Sequence, residues 1–571
     1  MRIKIIKYSV IFLFAVIVIN LFYLQAIRGA YYYKLSAFNR IRVIPLQGWR
    51  GKIYDRNNTV LADNELSYNV LVIPQEIKNS LGLINFLSEA LETDKKKLED
   101  NYRRNKGRGD FVPVVIAESI KREQAIRIEE EKYLHPGLLV EESFRRFYPL
   151  GANSAHVLGY VGRTDRSRLA KFKDYGFSPQ SITGYSGVEE YYDAYLKGEE
   201  GGLQVEINSA GEQVRLLGWK EPKKGQDIQL TIDAKLQSII EESLFGINGS
   251  VVIMETDTGE VLGLTNNPSF DPNIFIDSKR SKEKVTLLND VKSPLINRAI
   301  SAAYPPGSAF KVPVALAGLE RKKVSANTNF TCNGSLEKGG ITFGCTHSHG
   351  PQNLLQAIAH SCNVYFYNLG IILGSDIIAH YAKMLGLGLH THIDLPYEEP
   401  GNIPSRRETI FKQKKWYTGN TINMSIGQGD VLSTPVQLVK MMAIVANEGK
   451  IVQPHVIKSI GEIVDSRFKS FQRILINRSV FEAMNKSLRA TVTEFSGTAH
   501  VAAIDNLFVA GKTGTAQTGS KSEPHAWFVG YARGTKRNIT FCVFLEFGGS
   551  SQNACLLARQ IMLKMRENGL L

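Results

Sequence analysis

The spacing of hydrophobic and polar positions changes along the chain, and its first strong feature is an apolar run near the N-terminus. Tyr8–Leu24 is apolar apart from Asn20, and extending the run to Ile27 gives 20 residues, enough for one membrane-spanning helix. Charge precedes the run and no small-residue cleavage site follows it, so we interpret it as an uncleaved anchor. The alternative is a buried helix of a soluble core.

Beyond this run, amphipathic stretches give way to strand-like ones. The charged stretches Asn85–Asn101 and Ala117–Glu131 predict helices. Residues 227–244 predict a strand that leads into a helix, and residues 248–266 predict a hairpin. A closing helix is expected from about Asn553. It is preceded by three strand-like runs, residues 506–517, 525–532 and 538–547.

The length of the chain and a linker-like segment within it predict more than one domain. A chain of 571 residues is too long for a single compact core. The charged segment Gly218–Gly225, which contains glycine and proline, predicts a linker. The predicted parts are a tail (residues 1–7), an anchor (8–27), a non-catalytic module (28–224) and a second folded domain (225–571).

The net charge of +14 is concentrated near the anchor. Residues 1–50 contain eight basic residues and no acidic ones, which leaves 61 basic against 55 acidic residues in the rest of the chain. Basic residues beside an apolar span can contact anionic lipid headgroups. The charge therefore does not require a nucleic-acid partner.

Three short motifs follow one another in the second domain: Ser308-x-x-Lys311, Ser361-x-Asn363 and Lys512-Thr-Gly. The ordered trio is typical of penicillin-binding proteins and serine β-lactamases. The first motif alone is weak, because other serine–lysine pairs match it. They are Ser281 with Lys284, Ser335 with Lys338, and Ser466 with Lys469.

Ser308 differs from the serines of those other pairs in the residues that precede and follow it. Pro305–Gly307 interrupts the chain before it, and an apolar run follows Lys311. This pattern places Ser308 at or near a helix N-terminus, with Lys311 one turn further on the same face.

The residue types suit nucleophilic catalysis. A serine hydroxyl needs a base, and a lysine kept away from water and near another cation is suited to that task. Lys311 is the expected base and Lys512 the second cation. Ser361 can relay a proton to a leaving amine, and Asn363 can hold a substrate amide.

The third motif predicts a peptide-binding strand. Lys512 is followed by Thr513, Gly514 and Thr515, and an apolar run precedes it. An edge strand in this position can pair with an extended peptide, and Gly514 allows a close approach.

With these motifs, the chain resembles the class B penicillin-binding proteins, most closely their penicillin-binding protein 2 group. These are membrane-anchored D,D-transpeptidases that cross-link peptidoglycan. The middle motif reads Ser-Cys-Asn where many members of the wider superfamily have Ser-Asp-Asn. Further matching stretches are Arg50–Arg56, Gly184–Glu189, Gly427–Gly429, Ser433–Pro435, Lys512–Gln517 and His525–Phe528.

The resemblance implies an α+β chain. Its parts would be a single N-terminal transmembrane helix, a pedestal module of the dimerisation type, and a transpeptidase domain with an antiparallel sheet flanked by helices. It also implies that Ser308 is acylated and Lys311 is its base, while Ser361, Asn363 and Lys512 complete the proton relay and substrate contacts. Backbone N–H groups of Ser308 and Thr515 would form the oxyanion hole. No cofactor is expected for catalysis.

The same resemblance implies partners and location. The expected ligands are peptidoglycan stem peptides and β-lactams, and the expected partners are a RodA-type glycosyltransferase and elongation-complex proteins. The N-terminus would lie in the cytoplasm and the bulk of the chain in the periplasm. The alternatives are a division-specific transpeptidase, a β-lactamase, and a β-lactam-binding sensor or scaffold without turnover.

The cysteines suggest a metal site, although their spacing is loose. Three cysteines and a histidine have a composition that suits tetrahedral zinc, and similar relatives can hold zinc beside the Ser-x-Asn motif. His347 is a rival ligand, and a Cys332–Cys345 disulfide or separate thiols are the alternatives. Cys542 and Cys555 are expected to be buried apolar fillers. The four candidate ligands are Cys332, Cys345, His349 and Cys362.

Overall fold

The computed structural model describes residues 2–32, 41–46, 48–106, 113–163, 182–207, 213–469, 472–519 and 522–571. The chain forms two compact units built from alternating segments. The first unit contains Met1–Arg50, Asn64–Arg145 and Lys197–Gly225. The second unit contains Gly51–Asp63, Arg146–Leu196 and Gln226–Leu571.

The N-terminal helix matches the predicted anchor. Helix Arg2–Phe22 continues as a π-helix over Tyr23–Ile27. Its segment Lys4–Ile27 has 24 residues, a mean hydropathy of 2.5, and no buried residues in its most apolar window. Within the described ranges, it is the one helix that is long and apolar enough to cross a membrane.

Among its described residues, the rest of the first unit contributes strands to two sheets and contains three α-helices. One sheet is antiparallel, with the strand order Ile41–Leu46, Gly201–Ile207, Gln213–Lys220. In the other, strand Val60–Val72 pairs with Val114–Ile120 and with Leu138–Phe147. The helices are Ser80–Ala90, Lys95–Asn105 and Arg122–Glu131.

Two of the predicted helices differ from the structure. The stretch Asn85–Asn101 is divided between two helices, because Glu92 adopts a positive φ of 50° and the Asp94 side chain caps a new N-terminus. The stretch Ala117–Glu131 begins inside strand Val114–Ile120, and its helix starts only at Arg122. Periodicity alone did not reveal either break.

A five-stranded antiparallel sheet forms the centre of the second unit, as expected. The three C-terminal strand-like runs are confirmed as strands. The predicted hairpin and the closing helix are confirmed as well. The strand order is Val261–Asn267, Gly249–Glu255, Asn538–Leu545, His525–Arg533, Phe508–Ala516.

Alternating side chains of this sheet supply two hydrophobic cores. On strand Gly249–Glu255, Val251 and Ile253 belong to a core that also contains residues of helices Ala234–Leu244 and Ser551–Glu567. Val252 and Met254 belong to the core on the other face, which includes residues of the helical part. This period of two is what a sheet covered on both faces requires.

The second unit contains further helices and short strands. The other α-helices of the second unit are Ala155–Leu158, Gly187–Tyr191, Asp193–Leu196, Ser281–Leu288, Lys311–Glu320, Leu354–Ala359, Asn363–Leu373, Ser375–Met384, Arg406–Phe411, Thr418–Met424, Pro435–Ala446 and Arg478–Thr493. Its short strands are Ile53–Tyr54, Val161–Arg163, Ile182–Gly184, Ile228–Leu230, Phe330–Cys332, Ser335–Lys338, Ile341–Gly344, Gly350–Gln352, Lys450–Ile451, Ile457–Ile460, Ile463–Val464 and Gln472–Arg473.

Candidate active site

Ser308 lies in a tight turn that leads into a buried helix. The 3₁₀ turn Gly307–Phe310 precedes helix Lys311–Glu320, and Ser308 itself is half-buried. Gly307 has a φ of 53°, and a Cβ at this position would lie 2.6 Å from the carbonyl oxygen of Thr515. Glycine therefore allows the serine turn to approach the Lys-Thr-Gly strand.

Lys311 connects the first two motifs. Its side chain is completely buried, and its Nζ donates to the Ser361 carbonyl oxygen at 2.7 Å and to Asn363 Oδ1 at 2.6 Å. A longer hydrogen bond reaches Ser361 Oγ at 3.2 Å. Within the described chain, no hydrogen bond joins Lys311 Nζ to Ser308 Oγ. The structure therefore brings Lys311 into direct contact with the Ser-x-Asn motif.

The Ser-x-Asn motif occupies the junction of two helices. Helix Leu354–Ala359 ends just before it, and helix Asn363–Leu373 begins at its asparagine. Ser361 has a φ of 55°, a left-handed conformation that is uncommon for a residue with a side chain. Asn363 uses both ends of its amide, since Nδ2 donates to the Gly344 carbonyl oxygen at 3.3 Å.

The Lys-Thr-Gly motif lies on the edge strand Phe508–Ala516, as predicted from its flanks. The strand packs against the segment before Ser308, because a Cβ on Gly514 would lie 2.6 Å from the Pro306 carbonyl oxygen. Lys512 is completely buried and donates to the Thr513 carbonyl oxygen at 3.2 Å. Thr515 is exposed beside the serine turn.

The two lysines are held away from water. Burial lowers the pKa of Lys311 to about 7. Burial, together with the charge of Lys311, lowers the pKa of Lys512 well below its ordinary value. Each lysine therefore has a reduced tendency to hold a proton, which is the property that a general base near neutral pH requires.

Two contacts of the site were not among the predicted residues. Thr498 Oγ1 lies 2.8 Å from Thr513 Oγ1, and the Thr498 amide donates to the Ala359 carbonyl oxygen at 3.0 Å. Gln428 Nε2 reaches the Thr515 carbonyl oxygen at 3.5 Å. The Gly427–Gly429 stretch had marked the position of Gln428, whereas only the fold brings Thr498 to the Lys-Thr-Gly strand.

The four candidate metal ligands, which are three cysteines and one histidine, form one cluster. Their ligand atoms all lie within 4.8 Å of one another, and His349 Nδ1 is 3.6 Å from both Cys332 Sγ and Cys345 Sγ. Tetrahedral zinc with Zn–S bonds of ~2.3 Å requires ligand atoms about 3.5–4 Å apart. His347 is not a member of the cluster.

The thiols of this cluster are free, and so are the two remaining ones. No Cys332–Cys345 disulfide is formed between these described residues. A hydrogen bond between the thiols of Cys345 and Cys362 lowers the pKa of Cys345 and raises that of Cys362. Cys542 and Cys555 are buried in the hydrophobic cores, as expected of apolar fillers.

Two family models match the chain. The model of the penicillin binding protein transpeptidase domain matches residues 249–563, and that of the penicillin-binding protein dimerisation domain matches residues 45–230. The three motifs and the five-stranded sheet all fall within the first match.

The chain is similar over most of its length to named proteins and solved structures. Peptidoglycan D,D-transpeptidase MrdA of Haemophilus influenzae is 33% identical over 97% of this chain and 90% of the relative. The penicillin-binding protein PBP2 solved in complex with MreC from Helicobacter pylori is 26% identical, with a TM-score of 0.83 over 93% of this chain and 99% of that one. A chain of a peptidoglycan synthase complex, solved to show how polymerization and crosslinking are coordinated, is 30% identical, with a TM-score of 0.73 over 98% and 97% of the two chains.

Proposed function

The chain belongs to the penicillin-binding proteins, and we propose that it works as a serine-type peptidoglycan D,D-transpeptidase of cell elongation. The observation that supports this function most strongly is the buried contact of Lys311 with Ser361 and Asn363, one turn from Ser308. A buried lysine of lowered pKa, one helical turn from a serine and in contact with a second serine and an asparagine, suits acyl transfer by a serine nucleophile.

The first half-reaction acylates Ser308. Its Oγ attacks the carbonyl carbon between the last two D-alanines of a donor stem peptide while Lys311 Nζ accepts the hydroxyl proton. The C–N bond then breaks, and the proton held by Lys311 passes through the Ser361 hydroxyl to the departing amine, so that D-alanine leaves and an ester remains on Ser308.

The developing oxyanion is stabilised by backbone donors. The N–H groups of Ser308 and Thr515 would form the oxyanion hole, and the close packing of Gly307 against Thr515 supports this assignment. Loss of one such donor typically slows acyl transfer ~10²–10³-fold. Thr513 and Gly514 would hold the donor peptide along the edge strand, and Lys512 would complete the proton relay and substrate contacts.

The second half-reaction transfers the acyl group. An amine from a neighbouring stem peptide attacks the ester carbonyl, the bond to Ser308 Oγ breaks, and the proton lost by the amine restores the serine hydroxyl. A β-lactam would follow the first half-reaction and then remain as a slowly hydrolysing acyl-enzyme.

The location and partners are part of the same proposal. The apolar helix would anchor the chain in the inner membrane, with residues 1–7 in the cytoplasm and everything after Ile27 in the periplasm, where the substrate lies. We keep residues 28–224 as the pedestal module and residues 225–571 as the transpeptidase domain. The H. pylori PBP2 complex with MreC supports an elongation-complex partner, and a RodA-type glycosyltransferase would supply the glycan.

The cysteine cluster would hold a structural zinc ion. Its three thiols and one imidazole are the donor set that zinc prefers, and the two 3.6 Å distances from His349 Nδ1 to the Cys332 and Cys345 thiols suit tetrahedral coordination. Bound zinc would supply structural cross-linking only. Because Cys362 separates Ser361 from Asn363, this cross-link would brace both side chains.

The function is tested by supplying uncrosslinked glycan strands to the detergent-solubilised full chain together with a glycosyltransferase. We expect dimeric muropeptides and released D-alanine, both absent from Ser308→Ala. Hydrolysis without dimers would indicate a hydrolase and contradict the proposal. Zinc is tested separately by elemental analysis: we expect one zinc per chain, lost in Cys345→Ser, and a metal-free wild-type protein would contradict that assignment.

A further inference from the structure

A strongly basic surface segment, residues 405–418, projects from the transpeptidase domain. It contains five basic residues and one acidic residue, and all six are exposed. Exposed apolar side chains lie among them, namely Ile410 at 52%, Phe411 at 89% and Tyr417 at 62% exposure. The basic residues are Arg406, Arg407, Lys412, Lys414 and Lys415.

The positive charge of this segment is largely uncompensated. Its acidic residue, Glu408, forms an ion pair with Lys383, which lies outside the segment. Asp376 accepts a hydrogen bond from the backbone amide of Arg407 at 3.0 Å, not from a basic side chain. Within the described residues, none of the five basic side chains forms an ion pair.

Both ends of the segment are fixed to the fold. At its start, the Arg406 amide donates to Ser375 Oγ at 3.1 Å. Near its end, Trp416 Nε1 donates to Thr421 Oγ1 at 2.9 Å, and this residue belongs to helix Thr418–Met424. The cations are therefore presented by an anchored surface element.

The segment borders the Ser-x-Asn wall of the active site. Gly419, the residue that follows Thr418, packs against Phe343, because a Cβ there would lie 3.5 Å from the ring. Phe343 adjoins Gly344, whose carbonyl oxygen accepts hydrogen bonds from Asn363 and from Tyr367. Phe343 and Gly344 thus connect the basic segment to the Ser-x-Asn motif.

We propose that residues 405–418 form an extended binding surface for uncrosslinked peptidoglycan strands, which are polymers of sugar rings and carboxylate-bearing peptides. The proposal rests on the proposed transpeptidase function. The cations complement the carboxylates of stem peptides outside the reacting pair. The exposed rings of Phe411 and Tyr417 offer flat apolar faces for packing against sugar rings. Strand binding here would raise the local concentration of stem peptides at Ser308.

The test measures binding of fluorescent uncrosslinked strands to the full chain in neutral-lipid nanodiscs, after penicillin has blocked the active site. The variant is Lys412→Ala/Lys414→Ala/Lys415→Ala. A matched control, Lys282→Ala/Lys292→Ala/Lys486→Ala, removes the same charge from exposed positions elsewhere in the domain. Three lost exposed ion contacts are expected to weaken binding about tenfold at low salt.

We expect this difference to disappear in ~1 M salt, where charges are screened over about 3 Å. Phe411→Ala should weaken binding without changing its salt dependence. The penicillin acylation rate should stay at the wild-type value in every variant, so a failure of the transpeptidase function is detected separately.

Equal binding by the variant and the control would overturn the proposal, even with normal acylation and cross-linking. The variant could instead bind strands normally but attach more weakly to nanodiscs or vesicles that contain phosphatidylglycerol. This result would also overturn the proposal and would indicate a membrane-facing surface.

Discussion

The buried ion pair between Arg146 and Glu189 gives a stability prediction that the structure allows to be worked through. The Arg146 Nε lies 2.6 Å from Glu189 Oε1, and the two side chains are 1% and 0% exposed. Arg146 Nη1 also donates to the Gly51 carbonyl oxygen at 2.7 Å, and the Tyr148 hydroxyl donates to the same carboxylate oxygen at 3.2 Å. The pair therefore connects three sequence-distant segments of the second unit.

Replacing one member leaves an uncompensated charge in the interior. We expect Glu189→Leu to reduce the free energy of unfolding by about 3–5 kcal/mol. In the double variant Arg146→Met/Glu189→Leu both charges are gone. It shares the loss of the Tyr148 contact with Glu189→Leu, and its one additional cost is the lost hydrogen bond to Gly51, about 1–3 kcal/mol. The double variant should therefore be more stable than Glu189→Leu alone.

The assay is a urea titration of the detergent-solubilised chain, in which fluorescent-penicillin labelling reports the folded second unit. The matched control is the exposed pair Arg478–Glu482 of the same unit. Glu482→Ala should cost at most about 0.5 kcal/mol. A cost below about 1 kcal/mol for Glu189→Leu, or a double variant at least as unstable as that single one, would refute the reasoning.

Three further predictions concern the site and its surroundings. Since burial lowers the pKa of Lys311 to about 7 and only its neutral amine accepts a proton, stopped-flow acylation by a β-lactam should slow about tenfold for each pH unit below about 7, and a flat profile would contradict Lys311 as the base. Burial lowers the pKa of His156 from 6.5 to about 4, so the stability it contributes is full above about pH 6.5 and is lost as the pH falls to about 4. Urea unfolding should show a loss of about 3 kcal/mol that His156→Gln removes and the exposed His380→Gln does not. Thr498→Val lacks the hydroxyl contact with Thr513 and should reduce the acylation rate about 5–30-fold with little change in melting temperature. An unchanged acylation rate would show that the contact does not position the Lys-Thr-Gly strand.

The sequence allowed much of the second unit to be predicted because its patterns are local. The near-continuous apolar runs within 506–517, 525–532 and 538–547 are what a sheet covered on both faces requires, and the structure has strands in all three. The position of Ser308 before a helix could also be predicted from local sequence, because the glycine turn and the apolar run that indicate it lie on either side of Ser308.

Other features depend on long-range packing that no local pattern encodes. The contact of Thr498 with Thr513 exists because the fold brings residue 498 beside the Lys-Thr-Gly strand. The hydrogen bonds of Lys311 to Asn363, rather than to Ser308, likewise depend on how two helices pack. The assignment of Gly51–Asp63 to the second unit could not be predicted from the linker-like segment Gly218–Gly225. It involves strand Ile53–Tyr54, which pairs with the sequence-distant strand Ile228–Leu230.

The measurement that tests the central claim most directly is the site of β-lactam attachment. The full chain would be incubated with a penicillin, digested and mapped by mass spectrometry, beside Ser308→Ala and the matched control Ser335→Ala, which removes the serine of another serine–lysine pair. The account predicts a long-lived adduct on the peptide that contains Ser308, absent from Ser308→Ala and retained in Ser335→Ala. An adduct on another residue, or none on a folded protein, would contradict it.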